Sequence, residues 1–487
     1  MPRHPAPVPH PPAQPRQAVV LGGSLAGLLS ARVLADHVDE VLVVDRDDLA
    51  ADLDAPRRGV PQSAHTHGLL VGGTEAIESI VPGFGDELVA RGALRADPAA
   101  RGRWLIAGSQ IGKRPSGLLG LLASRTLIES QIRRQVASVR NITLIGRHNV
   151  VGLQSSPDRS RVTGAVIAPS DRDAGGTRQR ELPADVVVDA TGRGSRAPVW
   201  LADLGYARPR ETVVDARIRY VTRMFADRPG LHPGIDLEVV GTDPRTGRGG
   251  VALRQEGGQW AVTIAGQFGE EPPTGLDDYL AFAVGLPLGG IAEIVRSCEP
   301  VGDALTYSYP ASRWRRWEQL DRRPEGLVVI GDAVCSFNPV YGQGMSSAAL
   351  QATRLRDLLR DGGTRDLSNR SARAFAKVVA SPWAQATGAD LRFPGQPRKP
   401  FPDRVIDRYL DRLLAVAAHD ATVAVAFARV LNLLDPPAAL LAPGIARRVL
   451  GPASRALVAR TALARAERAE TVTAALAAHA LRTADQP

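Results

Sequence analysis

The chain has 487 residues, 44% hydrophobic and 23% charged, enough for two or three domains with a sizeable core and unlike a disordered or fibrous chain. Its formal charge of +9 is carried almost wholly by arginine, since Lys113, Lys377 and Lys399 are the three lysines. The arginines are scattered and follow no nucleic-acid motif, so an arginine-rich solvated surface without a nucleic-acid partner is expected.

The two cysteines, Cys298 and Cys335, cannot build a disulfide framework and lack metal-ligand spacing, so a cytoplasmic setting without a metal site is expected. Residues 1–16 carry seven prolines and no apolar signal core, the pattern of a disordered or polyproline-like tail. An apolar strand then runs through Ala18-Val19-Val20-Leu21 into Gly22-Gly23-Ser24-Leu25-Ala26-Gly27, a G-x-S-x-x-G turn that opens a helix. Gly22 permits the turn, Gly27 lets the helix lie close to the strand, and the helix N-terminus offers N–H groups to a pyrophosphate. A second strand, Val41–Val44, ends in Asp45, 23 residues after Gly22, the spacing of a carboxylate on a ribose hydroxyl.

The stretch from Arg57 to Leu70 includes His65 and His67. No third ligand accompanies these histidines, so a helix-start loop turned toward a bound cofactor is preferred to a metal site. Residues 69–93 read as helical and 103–112 as a strand. Ser124 caps a helix whose first turn holds Arg125, either a phosphate contact or a surface residue. Short strands fill 141–189 and end in Asp189-Ala190-Thr191-Gly192, a strand end opening onto a ligand crevice. Residues 206–310 are β-rich, with a hairpin signal at Gly257-Gly258, and suggest an inserted, mostly antiparallel sheet walling an apolar cavity. A further strand ends in Gly331-Asp332, and Gly342-Gln343-Gly344 leads into an alanine-rich helix. Asp332 is placed to accept from a sugar or ribityl hydroxyl, and the glycine turn offers N–H groups to an anion or carbonyl oxygen.

Beyond about 366 the pattern is helical. Leu413–Leu434 is its most apolar part, but His419, Asp420, Arg429 and Asn432 make it a poor membrane span. A buried helix over the site is the preferred reading, with a peripheral membrane contact as the alternative. The expected organisation is a nucleotide domain from 17–205 and 311–365, a β-rich substrate domain over 206–310 and a helical region over 366–487.

The three motifs in this order resemble the FAD-dependent group A monooxygenases with the para-hydroxybenzoate hydroxylase fold, across roughly residues 17–360. Two stretches are similar to the flavin epoxidases of polyether biosynthesis: Arg58-Gly59-Val60-Pro61-Gln62-x-x-His65-x-His67 and Phe337-Asn338-Pro339-Val340-Tyr341-Gly342-x-Gly344-Met345. The resemblance implies an α/β fold: a Rossmann-type FAD-binding domain, an inserted mostly antiparallel substrate sheet and a helical C-terminal region. It implies that Gly22, Gly23, Ser24, Ala26 and Gly27 hold the FAD pyrophosphate with help from Arg125. Asp45 would take the adenosine ribose, with Arg46 beside it, and Asp332 the ribityl chain. Amides around Gly342, Gln343, Gly344 and Met345 would face the pyrimidine edge of the flavin, with Pro339 in the same loop. Arg58, Gln62, His65 and His67 would lie in or near the loop beside the isoalloxazine, and Asp189 and Gly192 would complete the cofactor set.

The family usually carries an Asp-Gly pair where this chain has Asp189-Ala190-Thr191-Gly192. That departure bears against direct NAD(P)H handling, so the electron donor is either NAD(P)H or a separate flavin reductase, with O2 as co-substrate. The implied activity is epoxidation of alkenes in an apolar polyketide polyene or terpenoid, and it requires no side-chain base. The alternatives are aromatic hydroxylation by the same flavin chemistry, reduction of a prenyl chain, and a flavin-binding carrier without turnover. A halogenase is disfavoured, because Trp314-Arg315-Arg316-Trp317 does not supply the Trp-x-Trp-x-Ile-Pro stretch expected there.

Overall fold

A computed structural model describes residues 16–50, 54, 55, 57–170 and 179–484. The proline-rich stretch, Arg16 apart, lies outside the described residues. Five parallel strands form the first sheet, in the order Leu327–Val329, Val186–Asp189, Gln17–Leu21 (β1), Glu40–Val44 (β2) and Ile142–Ile145. The strand β1 lies at its centre, and Ala18 through Leu21 are wholly buried. That explains its unbroken apolar run, since a parallel strand covered on both faces has no solvent side to alternate toward.

The helix Leu25–Leu34 (α1) leaves β1 through the glycine turn. Gly22 sits at φ +101°, in a region that favours glycine, and its N–H donates to Val44 O at 2.7 Å. A Cβ on Gly27 would stand 1.8 Å from Gly22 O, so the helix can approach the turn this closely only without a side chain.

The second sheet has eight strands, in the order Cys335–Ser336, Pro300–Arg315, Glu211–Ala226, Gln259–Gln267, Arg248–Gln255, Leu237–Val240, Gly102–Ile106 and Ser109–Ile111. All its pairs are antiparallel except Leu237–Val240 against Gly102–Ile106. The expected single strand over 103–112 is thus a hairpin, turned at Ala107 and Gly108, which extends the inserted sheet. Pro300–Arg315 runs unbroken across position 310 and pairs at its end with Cys335–Ser336.

Alternation divides the sheet's two faces. Val221, Phe225, Val262 and Ile264 pack on the helices Leu276–Val284 and Gly290–Ser297, burying Tyr279, Phe282 and Ile291. Tyr220, Thr222, Thr263 and Ala265 alternate with them and so point the other way, where Val340 and His65 lie. A smaller antiparallel sheet comprises His148–Ser155, Val162–Pro169 and Arg180–Pro183.

The helix Gly344–Gly362 packs on α1 and on Val71–Ile80, and Leu367–Asp390 runs beside it. Two helical expectations need correction. Residues 69–93 form two helices, Val71–Ile80 and Phe84–Ala90, separated at Gly83 with φ +82°. Leu413–Leu434 is likewise not one helix. The Asp420 carboxylate accepts from Thr422 N and Val423 N, so Phe401–Ala417 ends and a capped helix, Ala421–Leu431, begins. Among the described residues, no helix is long and apolar enough to cross a membrane.

Two adjacent glycine substitutions should separate in cost. At Gly27 the new methyl meets backbone, and Gly27→Ala should destabilise by about 3 kcal/mol or more. At Gly23 it meets the tip of the Leu49 side chain, which can turn away, and the loss should be smaller. Urea midpoints at constant m-value check this order, and equal losses would contradict it.

Candidate active site

Ser24 is the N-cap of α1, yet its side chain caps no backbone N–H, and no acidic residue sits in the first turn. The first amides of the helix are therefore available to an anion. The Ser24 hydroxyl instead donates to Glu129 Oε2 at 2.7 Å and accepts from Arg125 at 3.2 Å. Glu129, on the helix Arg125–Ala137, is buried and also receives Arg57 at 2.5 Å and Arg133 at 3.2 Å. Arg57 reaches further, to Asp45 at 2.8 Å, Asp47 at 3.2 Å and Gly23 O at 2.8 Å. Asp45 accepts from Gly23 N at 2.6 Å and Asp47 N at 2.9 Å. Burial pushes the Glu129 carboxyl up, but Arg125, Arg57, the Ser24 hydroxyl and Arg133 outweigh it and hold it below its ordinary range.

Arg57 is the residue that sequence reasoning missed here. Arg58 was expected in the site, but it is exposed, whereas the Arg57 side chain is 8% exposed inside the charge cluster. Nothing in the sequence separates two adjacent arginines in a loop. Arg46 is exposed too, close to Gly59, whose N–H is held by Asp47.

A second group of residues lies at the ends of the other two strands. Gly331 has φ +68°, and a Cβ there would stand 2.9 Å from Ala26 Cβ, so the Gly-Asp turn lies directly against α1. Asp332 is exposed between buried Gly331 and Ala333, and thus faces an opening rather than the core. It makes no hydrogen bond or ion pair among the described residues. Desolvation pushes its carboxyl up, while Arg125 and Arg193 pull it down. Gly192, at φ +76°, is its neighbour across the turn.

Asp189 departs from expectation. Its side chain is wholly buried, and its oxygens accept from Thr191 N, the Thr191 hydroxyl and the Ser195 hydroxyl. It shapes the turn that presents Gly192 and Arg193.

The helix Gly344–Gly362 provides a second open N-terminus. Its N-cap, Gln343, caps no amide with its side chain, no acid occupies the first turn, and the buried Gln343 Oε1 has no partner among the described residues. Met345 is buried, so its backbone N–H is what it can offer. Before it, Asn338 caps the short turn Pro339–Tyr341, and Gly342 reaches φ +64°, where an added Cβ would stand 3.6 Å from Gly68 Cα. The histidine loop and the glycine turn therefore meet glycine to glycine.

The histidine loop also meets the inserted sheet. Gln62 is half-buried, in the 3-10 turn Pro61–Ala64, and its carbonyl accepts from His65 N. His65 Nδ1 lies 2.9 Å from Thr222 Oγ1, Thr222 lies 2.6 Å from Thr263, and Thr263 lies 2.8 Å from Thr66. The His65 ring packs edge-on against Tyr220 at 4.9 Å and Tyr307 at 5.7 Å. Burial pushes His65 down to about 4. Desolvation, aided by the charge of Arg125, pushes His67 down to about 3. Both imidazoles are neutral at pH 7. Among the described residues, no group of three potential ligands could hold a metal ion. Tyr220, Thr222, Thr263 and Tyr307 were not singled out from sequence, although the alternation in Val213–Phe225 and Trp260–Phe268 was the signal for the sheet's second face.

These residues fit FAD. One uncapped helix end and Arg125 suit a pyrophosphate, an unpaired carboxylate suits hydroxyls, and a second uncapped helix end suits an acceptor-bearing ring edge. The fold is shared with solved flavoproteins. A flavoprotein/dehydrogenase from Cytophaga hutchinsonii matches with TM-score 0.63 at 14% identity, over 92% of this chain and 99% of that one. The p-nitrophenol 4-monooxygenase PnpA from Pseudomonas putida DLL-E4 matches with TM-score 0.59 at 17% identity, over 86% and 99%. PqsL of Pseudomonas aeruginosa, a probable FAD-dependent monooxygenase, matches with TM-score 0.51 at 16% identity, over 85% and 99%. The architecture is thus that of the flavoprotein monooxygenases. No family model matches the chain. Over 432 residues it is 35% identical to Protein Rv3254 of Mycobacterium tuberculosis, covering 86% of this chain and 90% of that protein, and it belongs to the same family.

Glu129→Gln should cost about 3 kcal/mol at pH 7, because it leaves buried arginines without their shared carboxylate. The carboxyl lies below its ordinary 4.5 in the folded state, so its contribution is present above that value and lost as pH falls through the lowered one. Denaturation midpoints of wild type and variant should therefore converge in acid. A constant gap down to the acid limit of folding would contradict this.

Proposed function

We propose that the chain is a FAD-dependent monooxygenase that transfers one oxygen atom of O2 to an alkene of an apolar polyketide polyene or terpenoid. The observation that carries the reading is the alignment of two uncapped helix N-termini with Asp332 and Arg125, beside the aromatic face of the inserted sheet. Gly22–Gly27 and Arg125 would hold the pyrophosphate, Asp45 the adenosine ribose, Asp332 the ribityl hydroxyls, and the amides of Gly342–Met345 the pyrimidine edge. Bound FAD, once reduced, supplies the activation of O2.

The chain's own task is to hold the substrate and exclude water. Tyr220, Tyr307 and Tyr309 on the sheet and Val340 on the loop form an apolar wall suited to it. A shallow, mainly apolar cleft of about 30 Å³, lined by Trp104, Ile106, Ile111, Phe427 and Leu431, lies between the sheet's edge hairpin and the helix Ala421–Leu431. Asn432, at the end of that helix, accepts from Val71 N just beyond the histidine loop. The apolar wall supports an apolar substrate, and an alkene needs no base.

One observation favours a second reading, hydroxylation of a phenol. The chain His65–Thr222–Thr263–Thr66 is a run of hydrogen-bonded, proton-carrying groups beside the same wall, a path along which a phenolic proton can be passed. Under either reading the electrons come from NAD(P)H directly or through a separate reductase.

Two measurements test the proposal. Asp332→Ala should weaken FAD binding by about tenfold or more, the scale of a lost hydrogen bond to a charged group, with unchanged circular dichroism. Unchanged FAD affinity would contradict its role. Turnover under 18O2 with polyene and phenol panels should place one labelled oxygen in an epoxide. A labelled phenol would favour the second reading, and coupled flavin oxidation without labelled product from any substrate would contradict a monooxygenase.

A further inference from the structure

Asp390 ends the helix Leu367–Asp390 and has no solvent exposure. Its Oδ1 accepts three bonds from two directions. Asn338 Nδ2 and Tyr341 Oη, both 2.9 Å away, come from the loop before the glycine turn. Gln267 Nε2, 3.3 Å away, comes from the inserted sheet. Oδ2 is buried without a partner among the described residues.

Among the described residues no cation pairs with this carboxylate. On the following segment Arg392 pairs with Asp411, and Lys399 is held by Gly388 O and Asp407. Tyr341 is the one titratable group that touches Asp390, and burial with the Asp390 charge pushes its phenol well up. The rings of Phe268 and Phe393, next along the chain from the sheet and helix partners, stand 4.9 Å apart in the same corner.

An uncompensated buried carboxylate is a costly way to join three segments. What it provides is charge-assisted hydrogen bonding, stronger than a neutral acceptor gives. Two of its three donors belong to the loop Asn338–Tyr341, which leads directly to the amides of Gly342, Gln343, Gly344 and Met345. Asn338 has its own tether as well, its N–H donating to Ser312 Oγ on the long strand Pro300–Arg315.

We propose that Asp390 is a positioning residue for the flavin ring: it fixes Asn338 and Tyr341, and through them the amides of Gly342–Met345, against the inserted sheet and the C-terminal helices. The inference rests on the FAD reading above. It carries a pH dependence. Burial pushes the Asp390 carboxyl to about 6 despite its three donors, so the charged, tightly held form prevails above that pH and the neutral form below it.

Amide hydrogen exchange of the peptide 337–346 in the full chain as purified, with its flavin content recorded, reads the anchor directly. Corrected for intrinsic rates, wild-type protection should fall as pH drops from 8 to 5. Asp390→Asn keeps the acceptor without the charge and should remove that step, resembling wild type at pH 5 throughout. Asp390→Ala should lose about tenfold in protection there, on the scale of the bonds removed, while the peptide around α1 is unaffected. FAD affinity should fall in parallel, most in the Ala variant. A pH step that survives in Asp390→Asn, or wild-type protection in Asp390→Ala, would overturn the proposal. Should Asp390→Ala fail to fold, the Asn comparison decides alone. A wild-type chain that binds no FAD would overturn the flavin reading instead, and the exchange data would still decide whether Asp390 anchors the loop.

Discussion

One buried carboxylate, Glu129, holds the nucleotide end of this molecule together. It joins Ser24 on the glycine turn, Arg57 on the loop after β2, and Arg133 on its own helix. Arg57 carries the connection on to Asp45 and Asp47. Three arginines and three acids, each costly to bury alone, become tolerable as a hydrogen-bonded set. The set fixes the glycine turn and Asp45 relative to each other before any ligand arrives. Arg125 is its loosest member, 3.7 Å from Glu129 and with a buried Nε that has no partner, so it retains capacity for an incoming phosphate. Preorganisation of this kind lowers the ordering that binding would otherwise require.

The ring end is built by a different principle. There the chain brings backbone rather than charge: an uncapped helix, Gly342 packed on Gly68 and a short turn capped by Asn338. Backbone amides are positioned only as well as the loop that carries them. The connections from that loop to Ser312 and Asp390 therefore matter as much as the loop's own sequence. The inserted sheet serves both purposes. One of its faces is a closed core with Tyr279 and Phe282, while the other turns tyrosines and threonines toward the histidine loop. Its long strand Pro300–Arg315 runs from the helix-covered part of the sheet to Cys335–Ser336, so the sheet is joined directly to the chain that leads into the loop Asn338–Tyr341.

Much of this was legible in the sequence because it is local. The G-x-S-x-x-G turn, Asp45 at the end of β2, and the Gly331-Asp332 turn each depend on a few adjacent residues, and each lies at a strand end as expected. The misreadings have physical causes. Arg57 and Arg58 are indistinguishable until the loop's course decides which one enters the core. Asp189 looked available, but Thr191 and Ser195, two and six residues on, occupy its oxygens. Leu413–Leu434 read as one apolar helix, whereas Asp420 offers a local cap that begins a new one. Glu129 and Asp390 could not be found at all, since their partners lie 105 and 52 residues away in the chain for Ser24 and Asn338. The β-rich run and the hairpin signal at Gly257-Gly258 marked the inserted sheet, but not which of its faces would meet the histidines.

The central claim is that the Glu129 cluster and α1 form a cradle for the pyrophosphate of FAD. Calorimetric titration of the flavin-stripped full chain with FAD, FMN and ADP tests it most directly. The account predicts one FAD per chain, competition by ADP for the same site, and FMN binding weaker by about two orders of magnitude, since FMN lacks the second phosphate and the ribose that this end of the site holds. FMN binding as tightly as FAD, or FAD binding that ADP does not oppose, would contradict it.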